Sequence, residues 1–131
     1  MRVSPYVIPT CTTPSISPNA VNVGTEMKKI FSPRERATQW RRLWLWLAEA
    51  EQEVGLTQIT DAALEDIRQH LVVSDEAFKV IAEEERVRRH DVMSHIYALE
   101  QEAPAARGLL HIGATSCFVR CVYVTSGRSR W

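Results

Sequence analysis

Apolar residues recur at helical spacing through most of the chain. From Pro33 to about Val54 no breaker interrupts the pattern; Ala37, Trp40, Trp44, Leu47 and Glu51 form one row, and Leu43, Leu47, Ala50 and Val54 the next. Leu45 and Trp46 extend this wide apolar stripe around the cylinder. Ser32 followed by Pro33 reads as an N-cap with proline at the first helical position, and Gly55 as the stop. A short helical turn from Glu26 to Phe31 precedes it. The next helix, ITDAALEDIRQHL, is capped by Thr60 or Asp61 and turns Ile59, Ala63, Ile67 and Leu71 to one side. Ser74 with Asp75 and Glu76 opens a third, SDEAFKVIAEEERVRRH, with Phe78, Ile81 and Ala82 inward. The pattern predicts that this helix continues to about Glu102, with Val92, Ile96 and Leu99 buried beside Met93 and Tyr97, and stops before Pro104. The expected fold class is all-α.

The tryptophans Trp40, Trp44 and Trp46 fall within seven residues. Each ring system buries on the order of 200 Å² when packed, so this helix must lie against something large. Core packing is the preferred role, over an aromatic cage or a base-stacking platform, which would want flanking lysines and loops. The charges of the helix oppose its macrodipole, with Arg34, Arg36, Arg41 and Arg42 early and Glu49, Glu51 and Glu53 late. Its stability must come from partners, not propensity. In the third helix, pairs such as Glu84 with Arg88 read as solvated i,i+4 contacts; His70, in the last turn of the helix before it, reads as a cation-compatible residue at a helix C-terminus.

Composition changes the picture at the ends. Sixteen acidic and sixteen basic side chains cancel over 131 residues, enough chain for one modest core. Residues 26–119 hold all the acids and twelve of the bases, an excess of four acids, and the arginines there are interleaved with glutamates. Nucleic-acid binding is therefore the least favoured class. Residues 1–25 contain Pro5, Pro9, Pro14 and Pro18 among Ser, Thr and Asn and one charge, Arg2, which predicts a disordered arm. Residues 120–131 read as an aberrant basic, β-branched tail. Cys11, Cys117 and Cys121 lack metal-ligand spacing and form an odd set, so free thiols in a reducing, cytoplasmic compartment are expected, with no metal and no cofactor. No apolar run reaches the roughly 18 residues a membrane span needs, and a soluble chain is expected.

The candidate chemistry lies in Arg89-His90-Asp91-Val92-Met93-Ser94-His95. If helical, this stretch puts Asp91 and His95 on one face, where the carboxylate can orient the imidazole, and pairs His90 with Ser94 on the neighbouring stripe. A solvated helix face with Asp91 paired to a basic neighbour is the competing reading. Further on, LLHIGATS runs into a glycine turn whose N–H groups and Thr115 and Ser116 hydroxyls could face a carboxylate or phosphate; a simple Ser/Thr N-cap is the alternative.

Three blocks, WRRLWLWLAEAEQEVGL, AEEERVRRHDVMSHIYALEQEAP and GLLHIGATSCFV, closely resemble in order and spacing the N-terminal domain of the adenylosuccinate lyase family, within the all-helical fumarase/aspartase superfamily. The resemblance covers roughly Glu26 to Val119. It implies a homotetrameric purine-biosynthetic lyase that splits adenylosuccinate to AMP and fumarate, and likewise cleaves the succinylated aminoimidazole carboxamide ribotide, by β-elimination. Residue by residue it implies substrate contacts for Arg89, His90 and Asp91, succinyl contacts for Thr115 and Ser116, and a place at the site's edge for His111. The departures are equally specific. The family's Arg-Tyr substrate contact falls where this chain reads NAVNVGT, and the family's Asp-Asn and long bundle helix fall where it reads RCVYVTSGRSRW. The resemblance places the general-acid histidine and the base serine beyond this sequence, so no residue here is assigned a catalytic role. The expectation is a truncated or mis-assembled lyase sequence without its central bundle, inactive alone, with apolar stripes left exposed. The alternative is a non-catalytic helical module that associates with full-length lyase subunits.

Overall fold

The computed structural model of the chain describes residues 24–56 and 58–121. The expected arm over residues 1–23 and the tail over residues 122–131 lie outside them. Helices α1 (Thr25–Ile30), α2 (Pro33–Glu53), α3 (Asp61–Gln69), α4 (Asp75–Arg88) and α5 (Asp91–Glu102) are followed by a single 3₁₀ turn at Pro104–Ala106. Among the described residues a further helix, α6, covers 116–121. Strands are absent among the described residues.

The predicted caps form. Ser32 Oγ accepts the Glu35 N–H at 3.1 Å, Thr60 Oγ1 the Ala63 N–H at 3.3 Å and Ser74 Oγ the Ala77 N–H at 3.0 Å. Each satisfies a backbone donor that the first helical turn leaves unpaired. Gly55, at φ 101°, takes the chain out of α2 through a conformation that other residues resist.

The core is built around α2. Trp40 and Trp44 pack with Leu43, Leu45 and Ala48 against Ala63, Leu64 and Ile67 of α3, Val92, Ile96 and Leu99 of α5, Ala106 and Val119. At about 25 cal/mol per Å² each buried tryptophan contributes roughly 5 kcal/mol before ordering entropy is counted. Trp46 is 56% exposed, contrary to its expected place in the stripe. Two positions beyond Trp44 is about 200° around a helix, which turns its ring away from α3 and α5. Ala50, Val54 and Ala82 are exposed as well, so the apolar rows end sooner than their spacing predicts.

A second, smaller cluster joins Ala37 of α2 and Val73 to Ala77 and Ile81 of α4 and Ala98 of α5, with Phe78 against it. Helices α4 and α5 form a tight hairpin; Ser74 Oγ donates to Glu102 Oε1 at 3.0 Å, bringing the start of one to the end of the other. Beneath them Arg41, 1% exposed, pairs with Glu102 at 2.7 Å and donates to the His70 carbonyl. Burial pushes the Arg41 pKa down and Glu102 opposes it. The sequence pattern alone places Arg41 among the charges opposing the helix dipole.

The expected continuous helix through the RHD motif is broken. Arg89 is left-handed (φ 54°, ψ 36°) and closes α4 by donating its N–H to Glu85 O at 2.8 Å; His90 is extended and caps α5. The break lets the chain reverse so that Ala77, Ile81 and Ala98 share one cluster, which a straight helix would hold apart. None of the described helices is long and apolar enough to cross a membrane.

Candidate functional site

The corner between α4 and α5 organises the site. His90 Nδ1 accepts the Met93 N–H at 3.3 Å. A ring nitrogen that accepts carries a lone pair, so in the neutral imidazole the proton resides on Nε2. That nitrogen lies 3.1 Å from Ser116 Oγ, 26 positions along the chain at the start of α6. With His90 donating, the serine oxygen accepts and its own proton is free for another acceptor.

Asp91 Oδ1 accepts the Val92 N–H at 2.8 Å and pairs with the Arg120 guanidinium, while standing 3.9 Å from His90 Nδ1. Asp91 and His95 lie one turn apart on α5, as the spacing predicts, but the group that engages the carboxylate is the guanidinium that α6 delivers, the basic-neighbour alternative. Arg120 and Cys121, assigned to the tail, are helical; the buried Val119 anchors that turn. The predicted His90–Ser94 side-chain pair is not formed either. Ser94, buried, donates its hydroxyl to the His90 carbonyl at 2.9 Å, one turn back on its own helix.

His95 faces the core. It is 5% exposed, and its ring meets Trp40 edge-on with centroids 5.0 Å apart. Burial first, then Arg36 and Arg41, lower its pKa to about 4 against the pull of Asp91. It is a neutral packing residue.

His111 is left-handed at φ 63°, and its Nδ1 accepts the Trp44 indole N–H at 3.2 Å. Burial, and secondarily the charge of His90, lower its pKa. Arg89 and Thr115 are exposed, and neither side chain is tied into this network. The structure thus brings His90, Asp91 and Ser116 together, sets His111 within electrostatic reach of His90, and leaves Arg89 and Thr115 at the solvent edge. A cleft of about 230 Å³ opens beside the network, lined by Met93, Ile96, Tyr97, Glu100, Leu110, Arg88 and His111. His111 is the member of the candidate set that reaches it. Arg88 pairs with Glu84, as the i,i+4 spacing predicts, and lies over the Tyr97 ring at 5.4 Å.

Sequence reasoning missed Arg120 and Trp44 as partners of the site. Trp44 was legible as a buried residue, but nothing in its spacing tied it to a histidine 67 positions away. Among the described residues no three His, Cys, Asp or Glu side chains converge as metal ligands.

No family model matches the chain. Adenylosuccinate lyase of Schizosaccharomyces pombe is 52% identical over 94 residues, covering 72% of this chain and 20% of the relative. That of Saccharomyces cerevisiae is 48% identical with the same coverage, and that of Caenorhabditis briggsae is 45% identical over 91 residues, 70% of this chain and 19% of the relative. Over that stretch the chain belongs to the adenylosuccinate lyase family. It spans about a fifth of the length of the curated relatives it matches. The all-helical architecture is consistent with a helical domain of a fumarase/aspartase-type lyase.

Proposed function

We propose that this chain carries the anion-binding half of an adenylosuccinate lyase site, holding the succinyl end of adenylosuccinate or of the analogous ribotide in purine biosynthesis. The observation that supports it most directly is the contact between His90 Nε2 and Ser116 Oγ, because it makes one donor surface of two motifs that are remote in sequence.

In the β-elimination a base removes a proton next to a carboxylate, the C–N electrons leave with nitrogen, an acid protonates that nitrogen, and fumarate departs. Negative charge builds on the succinyl carboxylate as the C–H bond breaks. Donors fixed in place before that moment stabilise it more than the ground state. In this reading Ser116 offers its hydroxyl proton, His111 its Nε2–H, Thr115 its hydroxyl and Arg89 a guanidinium able to pair with a carboxylate or phosphate. Asp91, engaged by Arg120, holds the corner instead of meeting an anionic ligand directly. The two proton transfers are assigned to groups outside this sequence, so the chain alone binds without cleaving.

Isothermal titration of the 131-residue chain with adenylosuccinate tests the binding, and a fumarate assay tests the division of labour. Saturable binding that is weakened in Ser116→Ala, with no fumarate formed, is the expected result. Fumarate release by the chain alone would refute it.

A cytoplasmic setting and a homotetramer, without nucleic-acid or membrane partners, belong to the same proposal. The exposed apolar side chains of Trp46, Val54, Val72 and Val87 favour a second role as a helical module that docks on intact lyase subunits. Co-purification with the intact enzyme supports that role, and a strictly monomeric chain that ignores it counts against it.

A further inference from the structure

The His111 ring meets the Trp44 ring at 78° with centroids 6.2 Å apart, and the indole N–H points into Nδ1 across 3.2 Å. An indole N–H only donates, so the nitrogen it addresses must offer a lone pair. In a neutral imidazole the proton then sits on Nε2. His111 also holds a left-handed backbone, φ 63°, that L side chains adopt at a cost, and such outliers persist where surrounding contacts over-determine them. His90 is fixed in the same tautomer by a different donor, the Met93 N–H. Both histidines therefore present Nε2–H while neutral.

We infer that Trp44 is a positioning residue of this site, orienting His111 and holding it as a neutral imidazole whose Nε2–H is the donor offered to an anionic ligand. Trp44 is 0% exposed, so it acts through His111 and not by direct contact with a ligand. Packing alone would ask only for a large ring, which phenylalanine also supplies. The indole N–H is what a packing role does not need. The proposed function enters only in naming the ligand, since the tautomer is set in the free protein. The lowered pKa of His111, caused first by burial and then by His90, agrees with a ring kept neutral.

Long-range proton–nitrogen correlation spectra of the isotope-labelled 131-residue chain report the tautomer of each imidazole, with His111 assigned by the loss of its signals in His111→Asn. The expected spectrum shows His111 dominated by the Nε2–H form with a lone-pair Nδ1. In Trp44→Phe, with helical circular dichroism retained, the two tautomers mix and the titration midpoint of His111 moves up. An Nδ1–H form in the unaltered chain overturns the inference, and so does an unchanged tautomer in folded Trp44→Phe. Should Trp44→Phe not fold, the spectrum of the unaltered chain decides alone. Adding adenylosuccinate separates this inference from the proposed function. The expected tautomer with no ligand-induced change at His111 removes the substrate assignment and leaves the positioning role standing, whereas a ligand response from an Nδ1–H ring does the reverse.

Discussion

Ser116 Oγ lies 3.1 Å from His90 Nε2, and with Nδ1 already occupied by the Met93 N–H the histidine is the donor of that contact. The serine proton is therefore available to a ligand. Ser116→Ala removes a hydrogen bond to a charged group, a type worth about 1.5–3 kcal/mol, and is expected to weaken adenylosuccinate binding by roughly 10- to 100-fold. Chemical denaturation of the same variant should show little change, since Ser116 is only half-buried. Calorimetric titration and a urea curve check the two halves.

Arg89 combines an exposed guanidinium with a left-handed backbone. A non-glycine residue pays roughly 1–2 kcal/mol to sit there, whereas glycine does not but loses more chain entropy on folding. Arg89→Gly is expected to raise stability by up to about 1 kcal/mol while weakening adenylosuccinate binding. A variant both less stable and fully able to bind would remove Arg89 from the site.

His95 makes the fold sensitive to acid. Its pKa falls from 6.5 to about 4 on folding, so above pH 6.5 neither state holds the proton and between those values only the unfolded state does. Stability is complete above pH 6.5, declines as pH falls through that window and levels off below about 4. The full loss is on the order of 3 kcal/mol. His95→Phe keeps a ring against Trp40 and should flatten this segment of the stability-against-pH curve; an unchanged slope assigns the acid sensitivity elsewhere.

Arg41 is the buried cation joining α2 to Glu102 of α5 and to the His70 carbonyl. Arg41→Ala leaves the carboxylate without its cation, for which about 3–5 kcal/mol is typical. Arg41→Met fills most of the volume and should lose less, most of all when combined with Glu102→Gln. Equal losses in the single and double variants would show that packing, not charge, is what Arg41 supplies.

What could be read from the residues in order was local: the caps at Ser32, Thr60 and Ser74, the exit at Gly55, the buried rows of α2, α3 and α5, and three blocks specific enough to carry a family resemblance. These follow from helical periodicity and short-range hydrogen bonding, which involve neighbours a few positions apart. Tertiary structure decided the rest. Only the folded chain turns Trp46 outward while Trp44 reaches His111, and breaks the helix at Arg89. It also gives Asp91 to Arg120 instead of His95, and sets Ser116 against His90. Spacing along the chain reaches only neighbours about a turn away, whereas these pairings span 26 to 67 positions and are settled by which distant helix the packed core brings within hydrogen-bond range.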